Sequence, residues 1–292
     1  MRIVVTGTRG IPDILGGVET HCEELFPRIA RKDIDVTLIR RKSYVHDSLT
    51  EYKGIKLVDL VTPKKKSFEA IIHTFKAILK AKSLHADIVH IHAIGPALVT
   101  PLARLLGMKV VFTHHGPDYD RDKWGFAAKT MLRLGERMGC MFANEVIVIS
   151  EVINDLLVRK YGRRDCHFIY NGVPAPDKVA DTDYLNSLGV EPCKYVFAMG
   201  RFVPEKNFHQ LIRAFAALKQ QNYKLVLAGD TDFEDDYSKK LKSLAKENGV
   251  ILTGFIKGTK LHELLTHARC FVLPSSHEGL PIALLEAMSY DL

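Results

Sequence analysis

His277-Glu278-Gly279-Leu280-Pro281-Ile282-Ala283-Leu284-Leu285-Glu286-Ala287-Met288 sets two carboxylates eight residues apart, split by Gly-Leu-Pro and an apolar run. Proline suits the first position of a helix, where its missing N–H would have no partner. Pro281 therefore predicts a helix carrying Glu286, with Glu278 in the loop just ahead of it. The preceding Cys270-Phe271-Val272-Leu273-Pro274-Ser275-Ser276 reads as a buried strand that ends at Pro274. Strand, loop and helix N-terminus in succession make a natural anion site, since free N–H groups and the helix dipole point at it. A carboxylate in that loop can hydrogen-bond sugar hydroxyls beside a bound phosphate. A solvated Glu ahead of an ordinary amphipathic helix has the same local pattern, so the stretch needs support from elsewhere in the chain.

That support lies upstream. Tyr195-Val196-Phe197-Ala198-Met199-Gly200 is a short apolar strand, followed by Arg201-Phe202-Val203-Pro204-Glu205-Lys206-Asn207. Gly200 lets the backbone turn sharply at the strand end. Arg201 and Lys206 then stand at the C-terminal edge of a sheet, where open α/β folds bind ligands. Arginine can clamp a phosphate through two hydrogen bonds, and lysine acts as a mobile point charge. Together with the Glu278-Gly279-Leu280 loop, these cations predict a diphosphate site.

Strand patterns alternate with helical ones along the whole chain, which predicts an α/β fold of parallel sheets. In the first half, strands are expected over Ile3–Thr6, Val36–Ile39, Ile88–Ile91, Val110–Thr113 and Val146–Ile149, with helices over Gly17–Arg31 and Ser67–Leu84. In the second half, strands are expected over Tyr195–Met199, Leu225–Ala228, Val250–Thr253 and Phe271–Leu273. Asn171-Gly172-Val173-Pro174-Ala175-Pro176 is a linker signal between them. The expected domains are 1–172 and 173–292.

The two motifs resemble those of retaining glycosyltransferases of the group 1 type, family GT4. Gly200-Arg201 with Glu205-Lys206-Asn207, and the Glu278-to-Glu286 spacing, carry the resemblance. The run Gly7-Thr8-Arg9-Gly10-Ile11-Pro12 with Gly16-Gly17-Val18-Glu19-Thr20 is similar to a bacterial subgroup that builds surface polysaccharides. The resemblance implies a GT-B fold: two Rossmann-like, doubly wound domains facing a cleft. It implies transfer of a sugar from a nucleotide-diphosphate donor to a saccharide or lipid-linked saccharide, with retention of configuration. Arg201 and Lys206 would neutralise the diphosphate, Glu286 would bind the ribose hydroxyls, and Glu278 would contact the donor sugar. Neither cofactor nor metal is implied, the nucleotide sugar being a co-substrate. The family also has a further strand and several helices after the Glu286 helix. The chain stops at Leu292 with four clear strands in its second half, so the second domain is expected to be truncated at its C-terminus.

On the first domain, Gly16-Gly17 opens a helix carrying Glu19, His21 and Glu23. Two glycines let backbone approach a phosphate, though flexible turns use the same pair. By resemblance this loop lies over the donor diphosphate from the opposite side. Arg9 is a second cation candidate, with a surface role equally compatible. Thr113-His114-His115-Gly116 matches the family's Thr-x-His-Gly, which assigns His115 to a hydroxyl of the reacting sugar and leaves His114 structural or exposed. His90 and His92 share one strand face, but no acidic or cysteine partner stands at ligand spacing, so no metal site is expected. The polar loop 118–124 holds the single tryptophan, Trp124, and suits either acceptor contact or loop anchoring. Ser150-Glu151 is a cleft-edge candidate or a helix cap.

The formal charge of +7 fits anionic donors or an acidic lipid surface, and no arginine-rich or aromatic-interleaved motif supports nucleic-acid binding. Lys64-Lys65-Lys66 precedes the apolar positions Phe68, Ile71, Ile72, Phe75, Ile78 and Leu79. A basic amphipathic helix can lie on an anionic membrane, and any helix packed on a sheet has the same pattern, which is the commoner case. Five scattered cysteines with no CxxC pair indicate neither a disulfide framework nor zinc. The N-terminus runs straight into a strand, and no apolar run approaches the roughly 20 residues that span a bilayer. A cytoplasmic protein is expected, at the inner face of the plasma membrane where the acceptor is lipid-linked. Three rivals stay open: a glycoside hydrolase, for which the two cations have no work; a sugar-nucleotide epimerase of the same architecture; and an inactive nucleotide-binding chain.

Overall fold

The computed structural model describes residues 1–62, 66–120, 125–219, 222–231 and 234–292. The Lys64-Lys65 pair and Trp124 lie outside them. The chain divides into two compact units, Met1–Asn171 and Gly172–Leu292.

The first unit is built on eight strands: β1 (Arg2–Thr6), β2 (Asp35–Arg41), β3 (Glu51–Tyr52), β4 (Ile55–Leu60), β5 (Ile88–His92), β6 (Lys109–His114), β7 (Glu145–Val148) and β8 (His167–Phe168). They lie in the order β3-β4-β2-β1-β5-β6-β7-β8, all parallel except the β3–β4 hairpin. The helices are α1 (Gly17–Ile29), α2 (Lys66–Ser83), α3 (Thr100–Leu105), α4 (Phe126–Phe142) and α5 (Glu151–Tyr161). After β1 the chain turns to β2 on one side, and later crosses to β5 on the other. Strand order therefore reverses at β1/β5, which opens a crevice at their C-terminal ends.

The second unit is a four-stranded parallel sheet of β9 (Tyr195–Met199), β10 (Lys224–Ala228), β11 (Ile251–Gly254) and β12 (Cys270–Phe271), in the order β11-β10-β9-β12. Its helices are α6 (Asp183–Ser187), α7 (Phe208–Ala217), α8 (Asp236–Glu247), α9 (Thr259–His267) and α10 (Ile282–Ser289). Alternation along the strands fills both faces. Tyr195, Phe197 and Val226 pack with Leu264, Leu265 and Ala287 on one side. Ala198, Leu225 and Leu227 pack with Phe208, Ile212 and Leu241 on the other. Strand order reverses at β9/β12, so the loops after these two strands flank the switch point.

Three strands escape the sequence pattern. β3 and β4 form a tight hairpin over Lys53 and Gly54, both at positive φ, a turn that the sequence signals only through Gly54. β8 has two exposed residues. A further difference concerns Cys270–Pro274, expected as a buried strand. β12 covers Cys270–Phe271, pairs among the described residues with β9 alone, and leaves Cys270 exposed. Pro281 is the N-cap of α10 rather than its first residue, with φ −73° and ψ 118°.

Candidate functional site

β9 is followed by Gly200, β10 by Gly229, and β11 ends in Gly254. All three have positive φ, 155°, 131° and 69°. Gly229 has a second reason to be glycine: a Cβ there would collide with the Gly200 carbonyl oxygen. The Gly200 N–H donates to Ala228 O at 2.9 Å and the Phe202 N–H to Asp230 O at 2.9 Å, so the two strand ends leave the sheet together. Arg201 follows, half-buried, and a single 3-10 turn, Pro204–Lys206, closes on Asn207 in the left-handed region.

This loop is stitched to the loop after β12. The Ser276 N–H donates to Glu205 O at 3.0 Å, and Asn207 Nδ2 donates to Pro274 O at 3.2 Å. Lys206 Nζ donates to Glu278 Oε1 as an ion pair. Thus Lys206 and Glu278 meet at the switch point, with Arg201 at the root of one loop and Gly279 and Leu280 beside Glu278 in the other. Glu286 lies half-buried on α10. A further cation, Lys242 of α8, pairs with Asp230 at 2.9 Å and is raised in pKa by that hydrogen bond. The sequence gives no hint of this pair, since it joins a strand end to a helix.

In the first unit, β1 runs into Gly7, whose Cβ would collide with the His92 backbone. The loop then returns to Gly16, the N-cap of α1, at φ 149°. A Cβ on Gly16 would overlap Glu19 Oε2 and Arg9 Nη2, whereas nothing lies within 4 Å of one on Gly17. The buried Glu19 carboxylate accepts from Thr8 Oγ1 at 3.2 Å, Arg9 N at 3.0 Å, Arg9 Nε at 3.2 Å and Arg9 Nη2 at 3.1 Å. Arg9 also donates to Leu15 O. Arg9 is therefore not a surface residue: it staples the glycine loop, and Glu19 holds the staple.

His115 follows β6 and joins a histidine cluster drawn from three elements. His92 Nδ1 and His115 Nε2 are 2.9 Å apart, His90 stacks on His92 at 4.2 Å, and the His21 ring of α1 meets His115 edge-on at 5.3 Å. Burial lowers His21 to about 4 and His90 to about 3, and burial with neighbouring histidines holds His92 and His115 well below 6.5. The cluster is neutral near pH 7. Among the described residues, His92 Nε2 is buried without a hydrogen-bond partner. In the His92–His115 contact one nitrogen must carry the proton and the other accept it, so at least one of the two rings is held in a single tautomer. One nitrogen of each of His21, His92 and His115 lies within 4.8 Å of the others, a grouping the spacing of the sequence did not anticipate and one that could hold a metal ion.

His114 points away from this cluster. Its Nδ1 accepts from the Gly116 N–H at 3.1 Å and its Nε2 donates to Glu136 at 3.0 Å. Burial raises Glu136, but hydrogen bonds from His114, Lys160 and Tyr161 outweigh it and hold the carboxyl at about 2. Ser150 caps α5, accepting from the Ile153 N–H at 3.4 Å.

Residues 15–175 match the model described as Glycosyltransferase Family 4, and residues 185–292 match Glycosyl transferases group 1. The chain belongs to glycosyltransferase family 4. It is 30% identical to the uncharacterized glycosyltransferase YqgM of Bacillus subtilis, over 69% of this chain and 56% of that one, little more than half its length. It is 25% identical to the UDP-Gal:alpha-D-GlcNAc-diphosphoundecaprenol alpha-1,3-galactosyltransferase of Escherichia coli, over 96% of this chain and 75% of that one. Among solved structures, Anabaena HepE in complex with UDP superposes with a TM-score of 0.75 at 22% identity, over 99% of this chain and 79% of that one. The α/β fold of parallel sheets is thus that of the GT-B glycosyltransferases.

Proposed function

We propose that this chain transfers a sugar from a nucleotide-diphosphate donor to a saccharide or lipid-linked saccharide, retaining anomeric configuration, in the synthesis of cell-surface polysaccharide. The observation that carries this reading is the union of Lys206 and Glu278 at the β9/β12 switch point, where a cation for phosphate and a carboxylate for sugar hydroxyls stand side by side. Arg201 and Lys206 neutralise charge growing on the leaving diphosphate, and that stabilisation speeds its departure. Glu286 takes the ribose hydroxyls, Glu278 with Gly279 and Leu280 takes the donor sugar, and Gly200 lets the backbone turn beneath the phosphates. In the first unit, His115 hydrogen-bonds a sugar hydroxyl and the Gly16-Gly17 loop presents the N-terminus of α1. The acceptor attacks from the face the diphosphate leaves, through an oxocarbenium-like ion pair. Side-chain cations and helix N-termini do the work a divalent ion does elsewhere, so no metal or cofactor is required.

Lipid-linked acceptors are favoured by the Escherichia coli relative, whose name gives a diphosphoundecaprenol acceptor. Such an acceptor fits a reaction on the cytoplasmic side of the plasma membrane. Among the described residues no helix is long and apolar enough to cross a membrane.

The test is thermal stabilisation by UDP, dTDP, GDP and ADP in the presence of EDTA, followed by incubation with the matching sugar nucleotide. A shift with one nucleotide, and release of that nucleotide only when acceptor is present, supports transfer. Retention is read from the anomeric proton of the product. Interconversion of the donor without acceptor would establish an epimerase instead, and silence with every nucleotide would sink the diphosphate site.

A further inference from the structure

The crevice of the first unit holds an arrangement that sugar transfer does not call for. Three imidazoles from separate elements meet there: His21 of α1, His92 at the end of β5, and His115 just past β6. The His21 ring centroid lies 5.7 Å from that of His92 and 5.3 Å from that of His115, and the His92 and His115 rings are 5.2 Å apart. Among the described residues this is the one group of three histidine, cysteine or acidic side chains whose ligating atoms fall within 4.8 Å of one another.

The polar balance of the group is incomplete. His92 is fully buried; its Nδ1 faces His115 Nε2 at 2.9 Å, and its Nε2 has no hydrogen-bond partner among the described residues. A buried polar atom left in that state points to a water, an ion or a ligand that completes the set. The neighbouring groups are already committed. His90, stacked on His92, is held by Thr113 Oγ1 at 2.7 Å. The Glu19 carboxylate is taken by Thr8 and Arg9, and Cys22 is turned into the core with Val5, Phe26 and Leu38.

We propose that His21, His92 and His115 bind one divalent ion of the zinc, nickel and copper class, and that the bound ion blocks sugar transfer. Imidazole nitrogens suit these metals, whereas magnesium and calcium take oxygen ligands. Zinc holds histidines at about 2.0–2.1 Å, which sets neighbouring nitrogens of a tetrahedron roughly 3.3 Å apart. The 2.9 Å contact between His92 and His115 opens slightly to reach that spacing. His21, half-buried on α1, closes the remaining distance by turning about its side-chain bonds. Three protein ligands leave the fourth position to water. The ion acts as an inhibitor because it occupies the ring of His115 that otherwise meets a sugar hydroxyl. That second half rests on the transferase reading; binding of the ion does not.

The experiment is titration of the EDTA-stripped full chain with zinc against a chromogenic chelator, and with cobalt(II) as a spectroscopic probe. Expected are one tight ion per chain and the visible bands of a nitrogen-ligated cobalt site, without thiolate-to-cobalt charge transfer. His21→Asn and His115→Asn, both at partly exposed positions, should each weaken binding about 100-fold or more, since even a lost outer-shell partner costs about 10–100-fold. Melting of the metal-free variants shows whether each is folded. Cys193→Ser with Cys270→Ser removes the two exposed thiols and should change nothing. Absence of stoichiometric binding, binding that survives either histidine change in a folded variant, or binding lost with the thiols would overturn the site. In the transfer assay zinc should compete with the sugar nucleotide, and His21→Asn should raise the inhibiting zinc concentration as far as it lowers affinity. Zinc bound at the histidines without inhibition would overturn the blocking role. A chain that binds no nucleotide and moves no sugar would sink the transferase reading alone, because the metal titration needs no turnover.

Discussion

Lys206 and Glu278, 72 residues apart in sequence, form an ion pair that joins the loop after β9 to the loop after β12. The two loops are further tied by Ser276 N to Glu205 O and Asn207 Nδ2 to Pro274 O. Each group therefore fixes the position of the other.

Lys206→Ala and Glu278→Ala are each expected to lower kcat/KM by about 10²-fold or more, the scale of losing one electrostatic partner of the transition state. The double variant should fall well short of the product of the two, since contacting groups are not additive. Stability should change by no more than about 1 kcal/mol, because the pair is partly solvated. Near-normal turnover in either single variant would remove these residues from the site.

Gly229 and Gly17 make a contrasting pair. Gly229→Ala puts a Cβ into the Gly200 carbonyl at a positive φ, and should cost about 1–3 kcal/mol, visible as a lowered Tm. Gly17→Ala meets nothing within 4 Å, so its Tm should hold. If Gly17 is where α1 approaches the donor, turnover should drop in that second variant even though folding is intact. Full activity of a well-folded Gly17→Ala protein would leave the glycine loop without a role in catalysis.

How much of this was legible in the sequence depends on the range of the contact. The strand-glycine-cation order at Gly200–Lys206 and the loop-helix order at Glu278–Glu286 are local, and the structure keeps both. Their meeting follows from parallel strands on either side of a switch point. The Glu19–Arg9 staple is not readable from local pattern, because the two residues lie ten apart across an irregular loop, and the sequence offers Arg9 only as a second cation or a surface residue. His21 was missed for a similar reason, since α1 brings it to His115 only once the crevice at β1/β5 has formed. The apolar run at 270–273 says nothing about whether a strand has neighbours on both sides, and β12 pairs on one side among the described residues.

Glu19→Ala should loosen the first-unit loop. It strips four donor contacts from Thr8 and Arg9 and leaves a mostly buried guanidinium without its carboxylate. Loss of a charged hydrogen-bond partner costs about 1–3 kcal/mol. Glu19→Gln keeps the shape and one acceptor oxygen, and should recover part of that. If limited proteolysis cut residues 8–16 no faster in Glu19→Ala than in the parent, the staple would have no structural weight.

The histidine cluster makes stability depend on pH above the range in which carboxylates titrate. His21 of the cluster and, apart from it, His73 of α2 beside the Arg40 backbone are lowered to about 4 and His90 to about 3, each chiefly by burial, and His92 and His115 lie well below 6.5 for the same reason. In the unfolded chain all of them return to about 6.5. Between the two values the unfolded state holds protons that the folded state refuses, so stability rises with pH in that window and falls as pH drops from about 6.5 toward 4. Each such histidine contributes a slope of about 1.4 kcal/mol per pH unit once its unfolded form is protonated. Glu136 acts in a separate window: held at about 2 against an ordinary carboxyl value of 4.5, its contribution is full above that ordinary value and is lost only as pH falls below it. Urea midpoints at pH 7.5, 6.5 and 5.5 therefore isolate the histidines. A steep fall is expected, and His90→Gln should flatten it by about one histidine's share even if it lowers stability at pH 7.5. Constant midpoints across that range would mean the rings are protonated or solvated in the folded protein, and His115 would then be no neutral partner to a sugar hydroxyl.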